Sequence, residues 1–214
     1  MICGVDEAGR GPVLGPMVVA AVAIEDDAPL RLMEVRDSKK LTPARREELA
    51  DKIHGICRVE YRVISHDEID ARGSKTSLNE LEAVAFASLI DRLRAEVVYV
   101  DACDVNEDHF RQMVAGRLSY RPRMVCEHKA DDNYPIVSAA SIIAKTNRDR
   151  IVSEMKAEIG QEIGSGYASD PTTISFLQKW IKEKGDLPPY TRRSWATAKE
   201  ALSSSKNAKL TDWE

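Results

Sequence analysis

The chain has 214 residues, of which 43% are apolar and 31% charged, with a formal net charge of -4. This length supports one well-buried core with a small appended lobe, and the composition is ordinary for a soluble globular protein. The longest apolar stretch, Met17 to Ile24, is far too short to cross a bilayer, and no charged n-region followed by an apolar h-region opens the chain, so a cytosolic protein is expected.

Ile2 to Val5 and Met17 to Ile24 read as two strands joined by a glycine-rich turn, and Arg58 to Ile64 as a third. A helix is expected from Pro43 to about Ile56 with Thr42 as its N-cap, and a longer one from about Ser77 to Leu93. A strand over Glu96 to Val100 ends on Asp101. A helix near Asn106 to Val114, a strand around Arg123 to Cys126 and a helix from Pro135 to about Ile159 follow. The last of these opens with small residues, Ser138, Ala139, Ala140 and Ser141, that permit close packing on a sheet. The alternation predicts an α/β layer with a mixed central sheet, since the early strands are close enough for hairpins and the later ones need crossovers. After Gly160 comes a loop containing Gly164, Ser165, Gly166 and Tyr167, then two shorter helices, and Ser203 to Glu214 reads as a tail. The expected organisation is a catalytic domain over 1–160, a helical lobe over 161–202 and a tail over 203–214.

The chemistry begins where the first strand runs into Asp6, Glu7, Ala8, Gly9, Arg10, Gly11 and Pro12. Adjacent carboxylates beside a buried strand raise each other's pKa, and a divalent cation is their natural compensation. Glycines on either side of Arg10 let the backbone approach a ligand closely, and the guanidinium suits phosphate. Asp101 and Asp131 occupy element ends of the kind that line a catalytic edge. Read singly, each acid also has a structural role: a solvated strand end, a turn cap, a charge at a helix N-terminus. Together they make four candidates for one site, suited to a hard cation such as magnesium and to phosphodiester hydrolysis. The four cysteines, Cys3, Cys57, Cys103 and Cys126, are dispersed without a Cys-x-x-Cys pair and read as small buried hydrophobes. The net charge counts against a nucleic-acid partner only if it is evenly spread, and clustering matters more than the sum. His128 is a poor magnesium ligand and is left out of the catalytic set.

Six motifs occur in order: DEAGRGP at Asp6 to Pro12, DSKKL at Asp37 to Leu41, VDA at Val100 to Ala102, HKAD at His128 to Asp131, SAASIIAK at Ser138 to Lys145 and GSGYASDP at Gly164 to Pro171. Together they closely resemble type 2 ribonuclease H, ribonuclease HII, particularly its archaeal form, from Met1 to about Ala201. The resemblance implies a ribonuclease H-like mixed sheet flanked by helices with a small C-terminal helical extension. It also implies metal-dependent endonucleolytic cleavage of RNA in RNA–DNA hybrids, including incision 5′ of single ribonucleotides embedded in duplex DNA, with Mg2+ or Mn2+ as cofactor. Its metal-binding acids fall on Asp6, Glu7, Asp101 and Asp131, its ribose-contacting turn on Gly9, Arg10 and Gly11, and its junction-sensing tyrosine on Tyr167. Lys39, Lys40, Lys129 and Lys145 flank these motifs and suit phosphate contacts. The alternative is a non-catalytic hybrid-binding protein, and the intact acid set separates the two. In the tail, Leu210 and Trp213 resemble the short peptide by which such enzymes bind the sliding clamp. Asn207 stands where that motif has glutamine, and Glu214 at its second aromatic position.

Overall fold

The valine-rich segments pair into one five-stranded sheet in the computed structural model, which describes residues 1–33, 35, 41–73 and 76–211, with side chains in the last helix through residue 204. The strands are β1 (Ile2–Ala8), β2 (Met17–Ile24), β3 (Arg58–Ile64), β4 (Val97–Asp101) and β5 (Arg123–Glu127), in the order β3-β2-β1-β4-β5. β1 is antiparallel to β2, with Ile2 opposite Ile24 and Ala8 opposite Val18. It is parallel to β4, with Val5 opposite Val100, and β4 is parallel to β5. The sheet is therefore mixed, as expected. β2 is buried at every position but its last, which is why it reads as a continuous apolar run and not as an alternation.

The helices are α1 (Ala28–Leu32), α2 (Pro43–Ile56), α3 (His66–Ala71), α4 (Leu78–Leu93), α5 (Glu107–Ala115), α6 (Ala130–Asn133), α7 (Pro135–Ile159), α8 (Pro171–Lys184) and α9 (Ala196–Thr211). Their starts follow capping chemistry. The Thr42 hydroxyl accepts the Arg45 N–H at 3.3 Å, Ser77 and Glu80 form a reciprocal capping box, and Asn106 accepts the His109 N–H at 2.9 Å. The structure departs from expectation at short elements. β1 continues through Ala8 and so carries Asp6 and Glu7 inside the strand. α1 and α3 are too short for a helical period to show, and the nine residues 203–211 read as tail belong to α9.

Contacts divide the chain into two compact units: Met1–Ala8, Val18–Val63 and Ser74–Arg148 form the first, and Gly9–Met17, Ile64–Gly73 and Asp149–Glu214 the second. In the first, Ala20, Val22, Leu49, Ile53, Val137, Ala140 and Ile143 belong to one buried cluster that joins sheet, α2 and α7. Phe86 of α4 meets Phe110 of α5 edge to face, with centroids 5.5 Å apart. Gly4 lies so close to the start of α7 that a Cβ there would come within 2.6 Å of the Val137 nitrogen and nearer still to the Ile136 carbonyl. In the second unit Val13, Leu14, Met155, Ile163, Phe176, Leu177 and Ala198 make the core. Among the described residues, no helix is long and apolar enough to cross a membrane.

Candidate active site

Strand register gathers the acids. With Val5 opposite Val100 in a parallel pair, the next residues, Asp6 and Asp101, come side by side just past the last paired residues of β1 and β4, Asp6 within β1 and Asp101 at the C-terminal end of β4. Asp101 Oδ1 accepts the Ala130 N–H at 2.8 Å, which fixes the turn carrying Asp131. Asp131 is buried, and its main-chain carbonyl accepts the Ser138 hydroxyl from the first turn of α7. Asp6 is 4% exposed. Its carboxyl is held well above the ordinary carboxylate range, first by burial and then by the charges of Glu7 and Asp101, while a hydrogen bond from Ser141 and the Lys145 ammonium pull it down. Lys145 Nζ in turn donates to Ser141 Oγ at 2.8 Å. α7 thus delivers the hydroxyl and the cation that face the most crowded acid.

The carboxylates of Asp6, Glu7 and Asp101 offer only oxygen donors, and among the described residues the Lys145 ammonium offsets the charge on Asp6. That chemistry fits a hard divalent cation. Three further groups join the site that sequence reasoning passed over. Ser141 is one of them. Glu82 is wholly buried, and its carboxylate, the Glu7 carboxylate and the Cys103 sulfur offer donor atoms within 4.8 Å of one another. This cluster shares only Glu7 with the expected four acids. Cys103 is half-buried, contrary to the expectation of a small buried hydrophobe, and its thiol donates to Glu7 Oε2 at 3.4 Å. Cys57 is half-buried as well, whereas Cys3 and Cys126 are buried, and all four are free thiols. The signal for Glu82 is an acid four residues after Leu78 and four before Phe86, on the apolar stripe of α4.

The remaining expected residues are spread differently. The turn of Gly9, Arg10 and Gly11 and the loop of Tyr167 both lie in the second unit. Gly9 has φ of +83°, a conformation that favours glycine. The Gly166 carbonyl accepts from the N–H groups of Val13 (2.8 Å) and Leu14 (3.2 Å), which joins the two segments, and a Cβ on exposed Gly11 would meet only Tyr167 Cε1, at 3.8 Å. Tyr167 itself is exposed. Its loop is held by Asp170, which accepts from the Ser165 N–H (2.7 Å), the Ser165 hydroxyl (2.8 Å) and the Thr172 N–H (2.9 Å). Lys129 is exposed with φ of +57°, between His128 and Ala130. The His128 ring nitrogens lie 3.3 Å and 3.4 Å from the carbonyls of Ala102 and Val105. Lys39, Lys40 and Trp213 lie outside the described residues, as does the Leu210 side chain.

The family model described as Ribonuclease HII matches residues 3–198. The chain is 45% identical over 214 residues to a ribonuclease HII of Pyrococcus abyssi, covering 98% of this chain and 95% of that protein. Among solved structures, the ribonuclease H2 from Pyrococcus horikoshii is 42% identical, with a TM-score of 0.89 over 96% of this chain and 98% of that one. A PCNA:RNase HII complex from Archaeoglobus fulgidus contributes a chain 44% identical, with a TM-score of 0.87 over 94% of this chain and 96% of that one. A near full-length family match, two superposable homologues and carboxylates gathered at adjacent strand ends agree on an enzyme and set aside the non-catalytic alternative. The chain belongs to the ribonuclease HII family, endoribonucleases of the ribonuclease H type that degrade RNA in RNA–DNA hybrids.

Proposed function

We propose that this enzyme uses Asp6, Glu7, Asp101 and Asp131 to hold divalent metal, Mg2+ or Mn2+, and cuts both continuous RNA–DNA hybrids and duplex DNA at the 5′ side of single embedded ribonucleotides, leaving 5′-phosphate and 3′-hydroxyl ends. The observation that carries this reading is the placement of buried Asp6, within β1, beside Asp101 at the end of β4, with Ser141 and Lys145 acting on it. When bound, such a cation activates the attacking water and neutralises charge on the leaving oxygen. Ser141 and Lys145 favour the charged form of Asp6, and Lys145 adds a positive charge for the scissile phosphate. The Gly9–Gly11 turn presents backbone N–H groups to the 2′-hydroxyl, the feature that distinguishes RNA from DNA whatever the base. Arg10, Lys39, Lys40 and Lys129 contact phosphates, and Tyr167 packs on the neighbouring sugar.

The solved complex with PCNA supports a further partner, a sliding clamp engaged through Leu210 and Trp213, which localises an enzyme of cytoplasmic DNA replication and repair on its substrate. The direct test of the site is Asp101→Asn. Asparagine keeps an oxygen to accept the Ala130 N–H, so the turn at Asp131 survives while the charge is lost. Loss of about 4 kcal/mol of charge stabilisation lowers cleavage about a thousandfold. The assay follows a duplex with one ribonucleotide, with and without magnesium, and near wild-type turnover by a folded Asp101→Asn variant at ordinary magnesium sinks the assignment.

A further inference from the structure

We infer that Arg192 is the positioning residue of the ribose-reading turn: its buried guanidinium orients the backbone N–H groups of Arg10 and Gly11 toward substrate. The inference rests on the proposed role of that turn.

Arg192 is fully buried and is the largest such side chain among the described residues. It sits in an irregular stretch between α8 and α9, and its planar fork is spent on main-chain carbonyls of one short segment. Nη2 donates to Gly9 O at 2.6 Å, Nη1 to Arg10 O at 2.8 Å and Nε to Gly15 O at 3.0 Å. The backbone around it is stitched to the same segment: the Arg192 N–H donates to Val13 O at 2.8 Å, the Gly15 N–H to Tyr190 O at 2.9 Å, and Leu14 bridges to Thr191. Trp195 lies with its ring centroid 5.1 Å from the Arg192 guanidinium carbon and donates its indole N–H to Gly11 O at 3.3 Å.

The consequence follows from peptide planarity. In a trans peptide the C=O and the following N–H point in opposite directions, and no cis peptide occurs among the described residues. With the carbonyls of Gly9 and Arg10 drawn onto the buried guanidinium, the N–H groups of those two peptides, which belong to Arg10 and Gly11, face away from it. The Gly11 peptide needs no such control, because the next residue is Pro12 and supplies no N–H. Trp195 anchors its carbonyl instead. A lysine has three donors on a single nitrogen and cannot span three carbonyls in a fixed plane, so the requirement is for arginine and not merely for positive charge.

The test combines Arg192→Lys, Gly11→Ala and Trp195→Phe, each checked for a cooperative unfolding transition. Kinetics are measured on a single-ribonucleotide duplex, and inhibition is measured with the same duplex made entirely of DNA. Arg192→Lys is expected to lower kcat/KM at least tenfold while the all-DNA duplex inhibits within twofold of wild type and the magnesium concentration for half-activation is unchanged. A general loss of folded protein would lower kcat and kcat/KM by the same factor, in proportion to the cooperative unfolding signal that is lost. Gly11→Ala separates this inference from the reading it rests on, because the added methyl meets nothing closer than Tyr167 at 3.8 Å in the free protein. Impaired Gly11→Ala with wild-type kinetics for Arg192→Lys overturns the role of Arg192, and wild-type kinetics for Gly11→Ala overturns ribose reading by the turn. If Arg192→Lys does not fold, Trp195→Phe decides. It keeps the aromatic ring and removes only the donor to Gly11 O, and unchanged kcat/KM there refutes the clasp.

Discussion

Gly4→Ala concentrates the packing logic of the first unit on one methyl group. The new Cβ would lie 2.6 Å from the Val137 nitrogen, whereas ordinary contact begins at 3.4 Å, and the obstructing atoms are main chain at the start of α7, which cannot rotate aside. Relief requires α7 and β1 to separate by about 1 Å. Such overpacking costs about 3 kcal/mol, at the upper end of its usual range because backbone must move. For a chain of this size that lowers Tm by about 6–12 °C. The same shift carries Ser141 and Lys145 away from Asp6, so activity at a temperature where the variant is fully folded is expected to fall together with stability. Urea unfolding monitored by circular dichroism, paired with hybrid cleavage, measures both. A Gly4→Ala protein within about 0.5 kcal/mol of wild type, the range of ordinary surface substitutions, would refute the close approach of α7 to β1.

Other outcomes follow from features of the second unit and the tail. The Asp170 carboxyl is drawn down to about 2 by the Ser165 N–H, then the Ser165 hydroxyl and the Thr172 N–H. A depressed folded pKa contributes stability that is complete above about pH 4 and lost as pH falls toward 2, so the stability gap between wild type and Asp170→Asn should shrink across that window, and a gap independent of pH would contradict the assignment. Tyr167→Ala is expected to reduce cleavage at a single embedded ribonucleotide more than cleavage of a long hybrid. Equal losses would mean that the ring only supports its loop. Calorimetric titration with the cognate sliding clamp should show weak binding by the full chain and none by Leu210→Ala/Trp213→Ala, with nuclease activity unchanged, and identical binding by both proteins would remove the clamp interaction.

Much of the sheet was legible because its strands are short runs rich in valine or isoleucine, continuous in the buried β2 and alternating in β4, patterns that survive without tertiary information. Asp6, Glu7 and Asp101 stood out as candidates for a related reason, since acids that interrupt apolar strands are costly to bury unless a cation compensates them, but spacing alone did not bring them together. Elements shorter than two helical turns, α1, α3 and α6, were not, since no period can declare itself in four to six residues. Glu82 was hidden because the acid-rich start of α4, Asn79 to Glu82, resembles a solvated helix face. Cys103 was hidden because a thiol just after an apolar strand looks like a small hydrophobe until a carboxylate is found 3.4 Å away. Arg192 was the hardest case. In the pair Arg192–Arg193 one side chain is buried and the other exposed, and nothing local distinguishes them. The three carbonyls that decide the matter are 177 to 183 residues distant in sequence.

That separation sets an order of assembly during synthesis. The turn at Gly9 leaves the ribosome 183 residues ahead of the arginine that clasps it. At about 5–20 residues per second, roughly 10–40 s elapse between the appearance of Gly9 and that of Arg192. Throughout that interval the glycine turn has neither its guanidinium nor its indole support, while the strands and α7 are completed before its end. A nascent chain that has not reached residue 192 would therefore carry the clustered carboxylates without the clasp that orients the amides of Arg10 and Gly11. If the turn reads ribose as proposed, selectivity waits for the synthesis of Arg192.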